Sequence, residues 1–117
     1  MSGWVVESLE SDLGEFHLGP IDLDLPAGRA VAVLGRSGAG KTTFLRTLAG
    51  FLSCDRGRIL RDGADVTDWL PERRGLGYVP QGLGLFPHRT VERNVRYALE
   101  LRERADARSR TRALLER

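Results

Sequence analysis

The stretch AVAVLGRSGAGKTTFLRTLAGF, residues 30–51, is where the spacing of residues dictates chemistry. Ala30 to Leu34 is an apolar run of strand length, and Gly35-Arg36-Ser37-Gly38-Ala39-Gly40-Lys41-Thr42 fits G-x-x-x-x-G-K-[ST] without a mismatch. A helix is expected at once, since Phe44, Leu45, Leu48, Phe51 and Leu52 fall on one apolar face and Gly50 stands where the helix should stop. Glycines let the backbone of residues 35–40 wrap an anion so that successive amides point inward, and the positive end of the next helix adds to that field. Lys41 supplies a compact charge that reaches β- and γ-phosphate oxygens, and the Thr42 hydroxyl is placed to ligate Mg²⁺. Ser37 and Thr43 add hydroxyl or amide contacts, and Arg36 and Ala39 add loop amides.

Outward from this loop, composition sharpens the reading. Lys41 is the single lysine among 18 Lys plus Arg, so the chain writes its other cations as arginine and keeps lysine where a point charge is wanted. With 117 residues the chain holds one domain at most and is short for a complete nucleotide hydrolase. No apolar run reaches the roughly 18 residues of a membrane span, and the N-terminus lacks the layout of a signal peptide, so a cytoplasmic location is expected. The lone Cys54 forms no internal disulfide and has no His or Cys at ligand spacing. A net charge of +2 is too small to argue for nucleic acid. The acids gather before Arg29 and the arginines after His88, and the basic tail reads as a solvated helical face.

On either side of the loop the elements follow from period and punctuation. Trp4 to Leu9 and Phe16 to Leu25 read as strands, the second with Ile21, Leu23 and Leu25 alternating with Asp22 and Asp24. The acid at the end of Trp4-Val5-Val6-Glu7 is read as structural, and His17 as a strand residue facing solvent. Arg58 to Arg61 and Ala64 to Thr67 read as short strands about an Asp62-Gly63 turn, and Gly75 to Val79 as a core strand ending in Pro80-Gln81. Gly82 to Arg89 is a loop, Thr90 an N-cap for a helix carrying Val91, Val95, Ala98, Leu99 and Leu101, and a further helix runs from Asp106.

These residues together resemble the ATP-binding subunits of ABC transporters. The resemblance rests on GRSGAGKTT, on RTLAGFLSCDRGRILRDGADVT and on PERRGLGYVPQGLGLFPHRTVERNVRYAL, and it covers nearly the whole chain from about Leu13. It implies that Gln81 is the glutamine that contacts Mg²⁺ and the attacking water and senses the membrane subunit, a role suited to an amide that orients water without a shifted pKa. It implies that Leu85-Phe86-Pro87-His88 lies near the coupling helix of the permease. The adenine-stacking aromatic of the family falls near Asp12 or Leu13, neither aromatic, with Phe16 the nearest substitute. The family's signature motif, its apolar strand ending in Asp-Glu and its switch histidine do not occur in these 117 residues.

The resemblance therefore implies an α/β P-loop NTPase fold, of which this chain holds the N-terminal part. That part comprises an antiparallel β subdomain, a partial parallel core sheet built on the strands at Ala30–Leu34 and Gly75–Val79, and a C-terminal helical segment. Residues 1–89 are expected to form the nucleotide-binding core and residues 90–117 to begin the helical subdomain. The expected function is Mg-ATP binding that energises import through a permease; GEFHLGPIDLDL and PERRGLGYVPQ look most like importers of oxyanions such as molybdate, with sugar, polyamine and iron importers close behind. A second ATP-binding subunit would complete the site, and the location would be peripheral at the inner face of the membrane. The chain by itself is expected to turn over little ATP. The alternatives are a nucleotide-binding module without turnover, and a non-transport relative acting on nucleic acid. An unrelated P-loop kinase or GTPase accounts for the loop but not for Gln81 and its surroundings.

Overall fold

The computed structural model describes residues 3–102 and 104–117, which divide into two units, one running to Tyr78 and one from Val79. The first unit is a four-stranded antiparallel sheet in the order β2-β1-β3-β4 with one long helix and one short one. β1 (Gly3–Leu13) and β2 (Phe16–Pro26) form a hairpin, and β3 (Arg56–Arg61) pairs on the other side of β1 with β4 (Ala64–Asp65) at its edge. The helix α1 (Lys41–Ala49) follows the glycine-rich loop as its spacing predicts, and α2 (Pro71–Arg74) is a single turn.

Strict alternation along β1 would put Val6 and Leu9 on opposite faces, since they are three residues apart. Both are buried, because the register shifts between them at Ser8, which takes a positive φ of 47°. This bulge re-aims the strand so that Leu9 and Ser11 join the core side. Gly57 stands opposite, at φ +93°, where a Cβ would lie 2.4 Å from the Ser8 carbonyl oxygen. The core is Val6, Leu9, Leu18, Phe44, Ile59 and Val66, so α1 reaches the sheet chiefly through Phe44. Of the face predicted for α1, Phe44 is buried but Leu45 and Phe51 are exposed, and Thr47 and Ala49, outside that face, are buried as well.

At the mouth of the hairpin, His17 is exposed and meets Glu10 at 3.1 Å and Asp12 at 2.6 Å, and Arg56 lies 3.1 Å from the same Glu10. The contact with His17 holds the Asp12 carboxyl below the usual carboxylate range, with Arg56 adding to it. Glu7 meets Arg58 at 2.6 Å across the paired strands β1 and β3.

The partial parallel core sheet does not form within this chain. Residues 29–36 and 76–80 carry no strand pairing, and among the described residues the sheet is antiparallel throughout. A strand exists only with a neighbour to bond to, and these two segments, apolar as their composition requires of a buried parallel strand, have none here.

The second unit holds α3 (Val91–Leu101) and α4 (Ala107–Leu115), which pack on each other and bury Ala107 and Thr111. The Thr90 hydroxyl accepts from the Arg93 amide at 3.2 Å, the N-cap read from the sequence. Before it, Asn94 clamps the loop: its Oδ1 accepts from the Phe86 amide at 2.8 Å, and its Nδ2 donates to the Phe86, Arg89 and Thr90 carbonyls. Phe86 packs edge-on to Tyr97 at 4.7 Å, with the Arg89 guanidinium over both rings.

Candidate functional site

The site is built where the 31–36 segment turns into α1. Gly38 and Gly40 adopt positive φ, 82° and 99°, which admits the tight reversal, and the Ala39 amide donates to the Arg36 carbonyl at 3.1 Å across it. Gly40 is required a second time, because a Cβ there would stand 2.7 Å from the Phe16 ring and 2.9 Å from Leu18. The sheet and the loop thus meet at a residue without a side chain.

Gly40 caps α1 with no side-chain hydrogen bond, and the first turn carries no acidic residue. The amide of Phe44 is the first to close a helical bond, to the Gly40 carbonyl at 2.8 Å. The preceding amides of Lys41, Thr42 and Thr43 therefore face outward as orphan donors at the positive end of the helix. Lys41 curls back over the loop, its Nζ donating to the carbonyl of Gly35 and, at 3.3 Å, to that of Arg36. One ammonium, a run of amides and the exposed Thr42 hydroxyl are gathered at the same end of α1. Loop residues 35–39 are all exposed, as an anion-receiving rim must be.

Beside the rim lies a groove of about 300 Å³, walled by Leu18, Ile21, Leu23, Val33, Gly40 and Phe44. Its walls are chiefly apolar, with Asp22 and Lys41 also among the lining residues. Gln81 belongs to the second unit, exposed at the start of a turn over residues 81–84. In that turn Leu83 takes a positive φ of 65°, a conformation rare for a side chain of that size.

The other end of α1 holds what sequence reasoning missed. Arg74, only 3% exposed, sends its guanidinium under the last turn of the helix and donates to the carbonyls of Thr47 at 3.1 Å and Leu48 at 3.0 Å. The only sequence signal was an arginine just before the glycines of 75–77, which reads as surface charge until the contacts are known.

Comparison with known proteins agrees with this geometry. The family model described as ABC transporter matches residues 18–117. The molybdate/tungstate import ATP-binding protein WtpC of Pyrococcus horikoshii is 47% identical over 98 residues, covering 84% of this chain and 28% of that protein. The sulfate/thiosulfate import ATP-binding protein CysA of Acinetobacter baylyi is 46% identical over 101 residues, covering 86% of this chain and 29% of its own length. This chain therefore spans less than a third of either relative. Among solved structures, a dimeric ATP-binding cassette in a post-hydrolysis state bound to ADP and Pi superposes with a TM-score of 0.78 at 23% identity, over 97% of this chain and 56% of that one, which shows the shared fold. From the glycine-rich loop and its helix through to the second unit, the chain belongs to the ABC transporter family.

Proposed function

We propose that this chain is the phosphate-holding part of an import-type ATP-binding subunit, and that its ligand is Mg-ATP. The observation that carries the reading is the start of α1, where uncapped first-turn amides and the ammonium of the single lysine converge. In this reading the amides of Gly35, Arg36, Ser37, Gly38, Ala39 and Gly40 wrap the β-phosphate, and Lys41 leaves the Gly35 and Arg36 carbonyls for β- and γ-oxygens. Thr42 holds Mg²⁺ by its hydroxyl, and Thr43 contacts an outer phosphate. Bound Mg²⁺ would supply positive charge against the charge that spreads over the phosphate oxygens. Gln81 is assigned to the metal and the attacking water, and residues 90–117 to the start of a helical subdomain.

Phe16 is the aromatic that the base would meet, because its ring stands against Gly40 at the end of the loop. The relatives' names support import of an oxyanion, and the partners that the family resemblance implies are a membrane permease and a second ATP-binding subunit. Among the described residues no helix is long and apolar enough to cross a membrane, so attachment at the inner face would run through the permease. Within the basic tail Arg96 is paired with Glu92 and Glu100, and Arg104 with Asp106.

Equilibrium binding of Mg-ATP to the 117-residue chain tests the reading. Binding is expected, and Lys41→Ala should weaken it by about a hundredfold, the worth of a charge-assisted contact to phosphate. Phe16→Ala should weaken ATP but leave inorganic triphosphate unchanged. Steady ATP turnover by this chain, lost in Lys41→Ala, would overturn the expectation that it binds without hydrolysing.

A further inference from the structure

α1 leaves Gly40 with the phosphate-facing groups at its first turn, so whatever fixes its last turn also fixes them. A helix ends with carbonyls that its own backbone cannot satisfy. Here the Phe51 amide donates to the Arg46 carbonyl at 2.9 Å and the Gly50 amide to that of Thr47 at 3.1 Å, with Gly50 at φ +93°. This is the glycine-terminated closure common at helix ends. The Leu48 carbonyl lies outside that pattern and is met by the Nη1 of Arg74, which also reaches Thr47.

The remaining donors of Arg74 point elsewhere. Nε donates to the Trp69 carbonyl at 2.9 Å and Nη2 to the Thr67 carbonyl at 2.7 Å. All four acceptors are backbone carbonyls. A buried cation bonded to four neutral carbonyls loses its water shell without a contacting carboxylate, and burial pulls its pKa down accordingly. Such an arrangement persists where geometry is being fixed, since a planar fork imposes direction and a lysine would not. The clamp is itself anchored to the sheet: Arg61 of β3 donates to the Arg74 carbonyl at 2.8 Å and lies over the Trp4 ring of β1. Gly50 and Gly75 leave the room, since a Cβ at either would stand 2.7 Å from Arg74 or 2.5 Å from Arg61.

We propose that Arg74 is a positioning residue for the phosphate site. It ties the C-terminal carbonyls of α1 through Arg61 to the sheet, and so sets the axis along which Lys41, Thr42 and the first-turn amides are presented. The proposal rests on the nucleotide reading above for its consequence and on the clamp alone for its mechanism.

The test compares Arg74→Met with Val6→Ala, a core truncation in β1 that lowers stability without touching the clamp, at a temperature where both remain folded. Two quantities are read: Mg-ATP affinity, and hydrogen exchange of the hydrogen-bonded amides of Ala39 and of Phe44 to Ala49. Arg74→Met is expected to weaken ATP by about five- to tenfold and to speed exchange at those amides, while Val6→Ala leaves both near wild type. Arg74→Lys, which keeps the charge but not the fork, should fall between. Equal behaviour of Arg74→Met and Val6→Ala in both readouts would overturn the proposal and reduce Arg74 to a stabilising contact. If Lys41→Ala leaves ATP binding unchanged, the nucleotide reading fails instead, and exchange at residue 39 and residues 44–49 alone decides whether the clamp positions the start of the helix.

Discussion

Gly50 has to satisfy two conditions at once, a left-handed backbone and the close approach of the Arg74 guanidinium. Gly50→Ala meets neither, and it should cost about 1–3 kcal/mol, read as a lower urea midpoint with an unchanged slope. His17 sets a second expectation. Its hydrogen bond is the largest cause of the lowered Asp12 pKa, so the carboxylate form is favoured in the folded state. A depressed folded-state pKa contributes stability that is present above the unfolded value, about pH 4, and is lost as pH falls through the lower folded value. His17→Ala should therefore lower the melting temperature above about pH 4 and flatten its fall on acidification below that value, so that the two proteins converge in acid. The contact of Gly50 with Arg74 joins residues distant in sequence, and no local pattern announces it.

Elements were legible to the extent that their stabilising groups lie within a few residues. α1 and α3 begin and end where Gly40, Gly50 and Thr90 say they should, because caps act within one turn. Thr90→Ala should cost about 1 kcal/mol and fray the start of α3, measured as lost helical ellipticity at 222 nm. The β1 bulge was not legible, since alternation in Trp4 to Leu9 gives no sign that Ser8 breaks the register. It forms because the core gains Leu9, fully buried, where a regular strand would turn that side chain outward. Residues 30–34 show the reverse case. Their apolar run is that of a buried strand, yet pairing needs partners that local sequence cannot supply.

At the scale of the whole molecule, that unpaired run has a measurable consequence. Val31, Val33 and Leu34 are 49%, 39% and 89% exposed, and they flank the apolar groove that ends at Phe44. An extended apolar segment with free backbone groups is a template for association. The 117-residue chain should self-associate as concentration rises, and Val31→Lys should shift sedimentation toward monomer without changing Lys41-dependent ATP binding. A concentration-independent monomer would show that the segment is covered.

What the sequence by itself determined is the glycine-rich loop, the helix after it, the caps and the family, all of which depend on spacing within a short window. Glycines at 35, 38 and 40 with Lys41 and Thr42 leave little else for residues 35–42 to be, because backbone conformation and donor placement are set locally. Tertiary structure alone decided that the core sheet expected at residues 30–34 and 75–79 stays unformed, that Ser8 turns Leu9 inward, and that Arg74 grips the far end of the helix that carries Lys41. Each of these depends on which distant group is available to accept a hydrogen bond or fill a space, a quantity that emerges only when the chain has closed on itself.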